Sequence, residues 1–178
     1  MNFEILDRIS QDEVTSLFAS VFSSSEGEKE GALIGGLASA LAARIDNQEV
    51  ICMGAFAKGD LTGLIFFTRL RFDDPIYAYL LSPVAVSTSH QRKGIGQALI
   101  RFGLEVLKNR AVELVVTYGD PAFYAKVGFR ALSEEVIRAP QPLSMPEGWL
   151  GQSLSGEDIP IQKCRPACVQ EFADSAFW

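Results

Sequence analysis

The sequence predicts an α/β (α+β) fold, in which helices flank a central mixed sheet. Short apolar runs bounded by turn residues recur along the chain, and such runs are typical of strands. Between them, apolar residues at helical spacing predict helices. The clearest junction joins an apolar run at residues 77–86 to a helical pattern through a basic glycine turn.

Length and composition indicate a single globular domain. The chain has 178 residues, of which 48% are hydrophobic and 21% charged, an ordinary balance for one domain with a real core. We expect one domain over residues 1–178, with residues 133–178 as a C-terminal extension packed on it. The net charge of −6 argues against a nucleic-acid partner, which needs a basic face.

Cysteine usage and hydropathy predict a cytoplasmic protein. Cys52, Cys164 and Cys168 form no dense framework, which is typical of a reducing compartment. The only histidine is His90, so a zinc site is disfavoured and no metal is expected. The N-terminus carries no signal-peptide pattern, and the longest nearly apolar stretch, residues 31–43, is too short to span a membrane. No membrane partner is expected.

The first half of the chain predicts a strand, two helices and a hairpin. Ser10 with Glu13 forms a capping box that begins the first helix. The predicted elements are a strand at Phe3 and Ile5, a helix after Ser10, a helix over residues 28–43, and strands over residues 50–57, 61–72 and 77–86. Pro83 interrupts the last strand and predicts an edge or a bulge, from which this strand splays away from its neighbour.

Three glycines weaken the second predicted helix. Gly31, Gly35 and Gly36 each cost about 1 kcal/mol relative to alanine in a helix interior. One explanation is close packing against a neighbouring helix, and the other is a mobile wall beside an acceptor site. The packing explanation is preferred.

The second half predicts shorter elements. A helix over residues 97–109 places Ile95, Leu99, Phe102 and Val106 on its core face. The other predicted elements are strands over residues 112–117 and 129–132, an irregular segment over residues 139–148, and further strands around residues 149–154 and 159–163. Three aromatic residues near the end, Phe172, Phe177 and Trp178, are expected to dock on the domain.

A short helix is well bounded by its own residues. Asp120 is the predicted N-cap, Pro121 the first helical residue and Gly128 the stop. Two turns of helix are not stable alone. We expect Phe123 and Val127 to hold it on the core, which leaves the intervening Tyr124 at the margin of the core.

The basic glycine turn predicts an anion site. The first N–H groups of a helix have no intrahelical partner and lie at its positive end, and glycines let a phosphate approach them. The predicted cradle for a pyrophosphate comprises Gln91, Arg92, Lys93, Gly94, Ile95, Gly96 and Gln97. A dinucleotide fingerprint is excluded because Leu99 occupies its third small position, and a Walker loop because Ala98 stands where it needs serine or threonine.

Two landmarks resemble the GNAT (Gcn5-related) N-acetyltransferases. Gln91-x-x-Gly94-x-Gly96, between a strand and a helix, is similar to the family's pyrophosphate loop. Residues 118–129, with the Phe123-Tyr124 pair followed by a Gly-Phe pair, resemble its second landmark. The resemblance covers roughly residues 5–132 and implies a mixed sheet that splays after the fourth strand.

The resemblance also implies acetyl transfer from acetyl-CoA to an amine, without a metal. Backbone N–H groups of Val84, Ala85 and Val86 are the implied donors to the thioester, Phe123 is implied at the cofactor edge, and Tyr124 is the implied proton donor to the leaving thiolate. The alternative from another class is a non-catalytic CoA-binding or regulatory module on the same fold.

The general base and the acceptor are left open by the sequence. Residues 78–86 contain no acidic residue where many family members place a glutamate. The acidic candidates for the general base are Asp73, Asp74 and Asp120, although turn formation and helix capping also explain them. His90 is interpreted as a loop residue. A water chain that carries the proton away is equally compatible with the sequence. The acceptor is a small-molecule or peptide amine of open identity, and a homodimer is left open.

Overall fold

A computed structural model describes all residues, 1–178. Seven strands form one sheet in the order β1-β2-β3-β4-β5-β7-β6. The strands are β1 (Asn2–Leu6), β2 (Val50–Ala57), β3 (Asp60–Leu70), β4 (Ala78–Val86), β5 (Leu114–Tyr118), β6 (Arg130–Ala131) and β7 (Trp149–Ser153). The helices are α1 (Gln11–Glu26), α2 (Glu28–Ala42), α3 (Ile95–Asn109) and α4 (Pro121–Tyr124).

The sheet is mixed, because β4 and β5 are parallel whereas β1 with β2 and β5 with β7 are antiparallel. The predicted fold class is confirmed.

The chain forms two compact units, each of which draws on two segments. The first unit comprises residues 1–67 and 83–102, and the second comprises residues 68–82 and 103–178. The prediction of one domain over residues 1–178 stays a prediction. Strand β7 comes from the predicted C-terminal extension and lies between β5 and β6 in the sheet.

In the first unit, α1 and α2 form a closely packed pair. The Ser10 hydroxyl accepts a hydrogen bond from the Glu13 N–H at 3.4 Å, so the predicted cap is confirmed. A Cβ on Gly31 would lie 2.7 Å from the Ala19 carbonyl oxygen of α1, closer than real Cβ atoms approach. Gly35 is also tightly packed on Ala19, whereas Gly36 is exposed with no atom near its Cβ position. Close packing therefore explains two of the three glycines.

In the second unit, the ladder between β4 and β5 is short. The paired residues run from Ala78 with Leu114 to Leu81 with Thr117, whereas β4 continues to Val86. Pro83 was expected at an edge or a bulge, but it lies inside this continuing strand, buried and beyond the last pair. Its missing N–H therefore removes no hydrogen bond from this ladder. The predicted splay beyond this point stays a prediction.

The tail of the second unit packs through its aromatic rings. Trp178 is 5% exposed, its ring centroid lies 6.2 Å from that of Tyr118 and 6.1 Å from that of Trp149, and its Nε1–H donates to the Phe172 carbonyl at 2.9 Å. Phe172 is also buried, whereas Phe177 is half-buried. The predicted docking of the tail is confirmed.

Two predicted details are wrong. Residues 159–163 form no strand; Pro160 lacks a donor, and the Gln162 N–H donates to Val136 outside any ladder. On α3, Phe102 and Val106 are only half-buried, whereas Ile100, Leu104 and Leu107 are buried beside Ile95 and Leu99. The buried stripe of α3 is therefore wider than the predicted face and shifted from it.

The glycines of α2 make a matched test of close packing. Gly31→Ala should lower the free energy of unfolding by roughly 1 kcal/mol or more, because a Cβ there meets α1 backbone. Gly36→Ala should raise it by about 1 kcal/mol, because alanine favours a helix and meets nothing. Urea denaturation of both variants measures the difference. Equal effects at the two positions would contradict the packing account.

Removal of the aromatic tail should destabilise the protein. A chain that ends at Phe172 loses the buried Trp178 ring and should melt roughly 5–15 °C lower, since loss of a buried tryptophan costs several kcal/mol. Calorimetry measures the shift. Ile161→Ala, at an apolar side chain that is 67% exposed, is the control and should melt like the wild type. An unchanged melting temperature after truncation would show that the tail packing is dispensable.

Candidate active site

The predicted anion cradle lies at the start of α3 in the first unit. A short 3-10 turn (Thr88–His90) follows β4, and α3 begins at Ile95. Gly94 has φ +76°, in the left-handed region that favours glycine, and no atom lies near its Cβ position. Arg92 also adopts a positive φ, of 60°. These two residues turn the backbone sharply so that the helix starts directly after the loop.

The cradle presents backbone donors. The first hydrogen bond of α3 runs from the Ala98 N–H to the Gly94 carbonyl at 3.0 Å. Consequently the N–H groups of Ile95, Gly96 and Gln97 have no acceptor within the helix, and they lie at its positive end. Gly96, in the first turn of α3, is buried and carries no side chain over these N–H groups. This geometry fits an anionic group such as a pyrophosphate.

Side chains of the cradle brace the loop. The Gln91 amide donates to the Val86 carbonyl at 3.0 Å, and the Lys93 ammonium donates to the Ser89 carbonyl at 2.9 Å. The Gln91 bond connects the loop to the end of β4, and the Lys93 bond connects two residues within the loop. Gln91 and Lys93 therefore have a structural role that the sequence did not predict, while the Arg92 side chain is exposed.

The end of β4 leads into this loop. Ala85 is buried, and Val84 and Val86 are half-buried. All three lie beyond Leu81, where the ladder with β5 stops. N–H groups on that edge of β4 therefore have no ladder acceptor on β5, which is what the thioester role requires.

In the second unit, α4 carries the predicted proton donor. The Asp120 carboxylate accepts from the Ala122 N–H at 2.9 Å, and Gly128 ends the segment with φ +96°, so the predicted cap and stop are confirmed. The predicted orientation is wrong in one respect: Tyr124 is buried at 9% exposure, whereas Phe123 is half-buried. The helix becomes a 3-10 turn after Tyr124, and in such a turn residues three apart, here Tyr124 and Val127, share a face.

The Tyr124 phenol has a defined environment. Its ring packs edge-on against Phe123 and Phe129, with centroids 5.1 and 5.7 Å away. Burial raises the pKa of Tyr124, the Thr117 side chain opposes that rise, and the charge of Asp120 adds to it. Tyr124 therefore stays protonated at neutral pH and can donate.

Thr117 is a buried polar residue near this site that the sequence analysis did not single out. It is fully buried on β5, and its hydroxyl donates to the Leu81 carbonyl of β4 at 2.8 Å. The available signal was a polar residue at the end of an apolar run, directly before the Tyr-Gly-Asp turn. Nothing in the spacing showed that its side chain would meet the Leu81 carbonyl.

The candidate bases occupy separate structural roles. Asp120 caps α4, and Asp73 raises the pKa of the exposed Cys164. The His90 Nδ1 lies 2.9 Å from the Ser87 hydroxyl and 3.0 Å from that of Ser89. No group of three or more His, Cys, Asp or Glu side chains is arranged to hold a metal ion, and no helix is long and apolar enough to cross a bilayer.

Comparison with known proteins decides the family. The sequence model of the acetyltransferase (GNAT) domain matches residues 38–131, more than half of the chain. The chain belongs to the GNAT acetyltransferase family. The predicted acetyl-CoA-dependent N-acetyltransferase activity is thereby confirmed for this GNAT protein, and the non-catalytic alternative is disfavoured.

Relatives and solved structures agree with this placement. The uncharacterised N-acetyltransferase YjhQ of Escherichia coli K12 is 28% identical over 167 residues, which are 89% of this chain and 87% of YjhQ. The crystal structure of E. coli YhbS in complex with CoA matches with a TM-score of 0.80 at 18% identity, over 98% of this chain and 92% of YhbS. A GNAT acetyltransferase from Brucella melitensis, in complex with acetyl-CoA, matches with a TM-score of 0.68 at 24% identity, over 96% and 98% of the two chains. The two structures show that the GNAT fold is shared.

The cradle can be tested by one substitution. Gly96→Val places a branched side chain at a buried point of the loop and should weaken CoA binding at least tenfold, because it keeps the phosphates from the N–H groups of α3. Calorimetric titration with CoA measures the affinity, and circular dichroism checks folding. Gly36→Val is the matched control on an open helix surface and should bind like the wild type. Unchanged affinity in a folded Gly96→Val variant would remove the cradle from the site.

Proposed function

We propose that this GNAT protein moves an acetyl group from acetyl-CoA to an amine of a small molecule or peptide in the cytoplasm, with the cradle of residues 91–97 holding the CoA pyrophosphate. The observation that carries the proposal is the glycine turn, which brings the open N–H groups of α3 directly behind the end of β4. Acetyl-CoA supplies the reactive thioester when it is bound.

The end of β4 is proposed to stabilise charge on the thioester oxygen. Val84, Ala85 and Val86 lie beyond the β4–β5 ladder, so N–H groups on that edge are available as donors. Such donors act on the oxygen that becomes negative as the amine attacks, and each is typically worth about 10²–10³-fold in rate. Proline at position 83 supports this role, because it keeps β4 extended without adding a donor.

Tyr124 is proposed to protonate the departing thiolate. Its raised pKa keeps it neutral at physiological pH, and the packing of its ring against Phe123 and Phe129 limits motion to the hydroxyl. Phe123, half-buried beside it, is the proposed aromatic contact at the cofactor edge. The surplus proton of the attacking amine passes to water, because the Asp120 carboxylate caps α4 and the His90 Nδ1 lies 2.9 Å from the Ser87 hydroxyl.

An amine panel tests the activity and narrows the acceptor. Free-thiol release from acetyl-CoA is followed with a peptide N-terminus, lysine, a polyamine, other amino acids and a drug-like amine. We expect at least one to accelerate thiol release over the slow reaction with water. A folded protein that binds CoA and releases no thiol with any acceptor, water included, would overturn the proposed catalysis.

Tyr124→Phe tests the proton donor. The variant keeps the ring and removes only the hydroxyl, so turnover should fall roughly 10²-fold or more, the usual range for a positioned acid, with little change in CoA affinity. Steady-state kinetics with the best acceptor of the panel measures the effect. Tyr77→Phe, which removes a hydroxyl that lies 3.3 Å from that of Tyr79, is the control and should lose much less. Wild-type turnover in Tyr124→Phe would assign this residue to packing alone.

A further inference from the structure

Gly119 is a glycine for a reason other than its backbone conformation. It directly follows β5, and its φ lies outside the left-handed region that favours glycine. A neighbouring ring excludes a side chain instead: a Cβ on Gly119 would lie 2.8 Å from Cε2 and 3.6 Å from Cδ2 of Tyr124. Real Cβ atoms do not approach a ring carbon to 2.8 Å, so either the ring or the backbone would have to move. Gly119 thus lies directly against the proposed proton donor.

The ring of Tyr124 has little freedom to yield. It is 9% exposed, and the rings of Phe123 and Phe129 pack edge-on against it. The Tyr124 N–H donates to the Asp120 carbonyl at 3.1 Å, and the Tyr124 carbonyl accepts from the Phe129 N–H at 3.2 Å. The backbone that carries the ring is therefore bonded through both of its polar groups. A shift of the ring away from Gly119 would disturb this packing and displace the phenol hydroxyl.

The backbone of Gly119 is held by the loop of residues 144–148. The Gly119 N–H donates to the Gly148 carbonyl at 3.0 Å, and the Gly148 N–H donates to the Met145 carbonyl at 2.9 Å. The Met145 N–H in turn donates to the hydroxyl of Tyr118, the residue before Gly119, at 2.7 Å. These three hydrogen bonds form a closed ring, which we name the Gly119 clamp. The clamp prevents the turn after β5 from moving away from the phenol.

We propose that Gly119 is a positioning residue for acetyl transfer, which fixes the Tyr124 hydroxyl by giving the phenol ring a backbone surface without a side chain to pack on. The inference rests on the proposed role of Tyr124. A proton donor must lie within hydrogen-bond reach of the atom that it protonates, and a misplacement of about 1 Å can cost roughly 10²-fold in rate. In this role Gly119 acts through Tyr124 alone.

Gly119→Ala tests the role with the smallest side chain. Alanine readily adopts a negative φ, so the added methyl group acts through its contact with the Tyr124 ring. We expect kcat to fall roughly tenfold or more, because the ring must shift by several tenths of an ångström, while KM for acetyl-CoA stays unchanged. Thiol release with the best acceptor of the amine panel, or with water if no amine is turned over, measures kcat. Circular dichroism checks folding.

Gly54→Ala is the matched control for a methyl group pressed against a ring. A Cβ on Gly54, in β2, would lie 2.8 Å from Cε2 of Phe56, the same distance as between Gly119 and Tyr124. Neither Gly54 nor Phe56 belongs to the proposed site. This variant should also melt at a lower temperature than the wild type, whereas its kcat should stay near the wild-type value when all assays are run well below the melting temperatures.

A second variant loosens the same contact without adding a methyl group. Tyr118→Phe removes the hydroxyl that accepts from the Met145 N–H and so opens the Gly119 clamp. We expect kcat to fall about threefold with KM for acetyl-CoA unchanged, as for the loss of one hydrogen bond, since the bond between Gly119 and Gly148 remains. If Gly119→Ala does not fold, a folded Tyr118→Phe at the wild-type kcat would overturn the proposal.

The double variant decides between the two proposals. On the Tyr124→Phe background, Gly119→Ala should cause little further loss of kcat, because the hydroxyl that Gly119 positions is absent. Wild-type turnover in Tyr124→Phe would overturn the role of Tyr124 and, with it, that of Gly119. A slow Tyr124→Phe together with a folded Gly119→Ala at the wild-type rate would overturn the Gly119 proposal alone. Additive losses in the double variant, or an equal loss of kcat in Gly54→Ala, would also overturn it.

Discussion

The short parallel ladder between β4 and β5 is the constraint on which the chemistry depends. Its last pair is Leu81 with Thr117. On β4, the strand continues past that pair to Val86, so an edge of backbone is left without β5 acceptors. On β5, the same pair fixes Thr117, whose hydroxyl donates to the Leu81 carbonyl at 2.8 Å. One end point of strand pairing thus leaves backbone donors free on β4 and fixes a buried hydrogen bond between the two strands.

Glycine serves two opposite purposes in the first unit. Gly31 and Gly35 allow α2 to pack closely against α1, because a side chain at either position would collide with α1. Gly94 has open space around it, and it allows the backbone to turn at φ +76°, a conformation that residues with a side chain rarely adopt. The first kind serves packing between helices, whereas the second shapes a site that must stay open to a ligand.

The C-terminal segment is built into the second unit. Its strand β7 pairs with β5 from Leu114 with Ser153 to Tyr118 with Trp149, and it carries β6 on its other side. The Tyr118 hydroxyl then accepts from the Met145 N–H at 2.7 Å, and its ring stacks on Trp178. The turn between β5 and α4, which leads to Tyr124, is thereby held from both sides. Changes in this segment are expected to affect catalysis as well as stability.

Local signals in the sequence determined the caps, the turns and the cradle. Ser10, Asp120 and Gly128 act on neighbours within a few residues, so their roles follow from spacing alone. The glycine turn before α3 is predictable for the same reason, since the open N–H groups belong to the first turn of the helix that follows. The two landmarks, which are also local, were sufficient to identify the family.

Tertiary structure decided which side chains meet. Leu81 reaches Thr117 only because two strands distant in sequence pair in one register. The burial of Tyr124 rather than Phe123 follows from a change to 3-10 geometry, and the position of β7 follows from pairing on both of its edges. The sequence by itself determined where elements begin and end because caps and turns are short-range interactions. The register of the strands depends on contacts between distant residues, so only the folded chain could place the hydroxyl of Thr117 beside the carbonyl of Leu81.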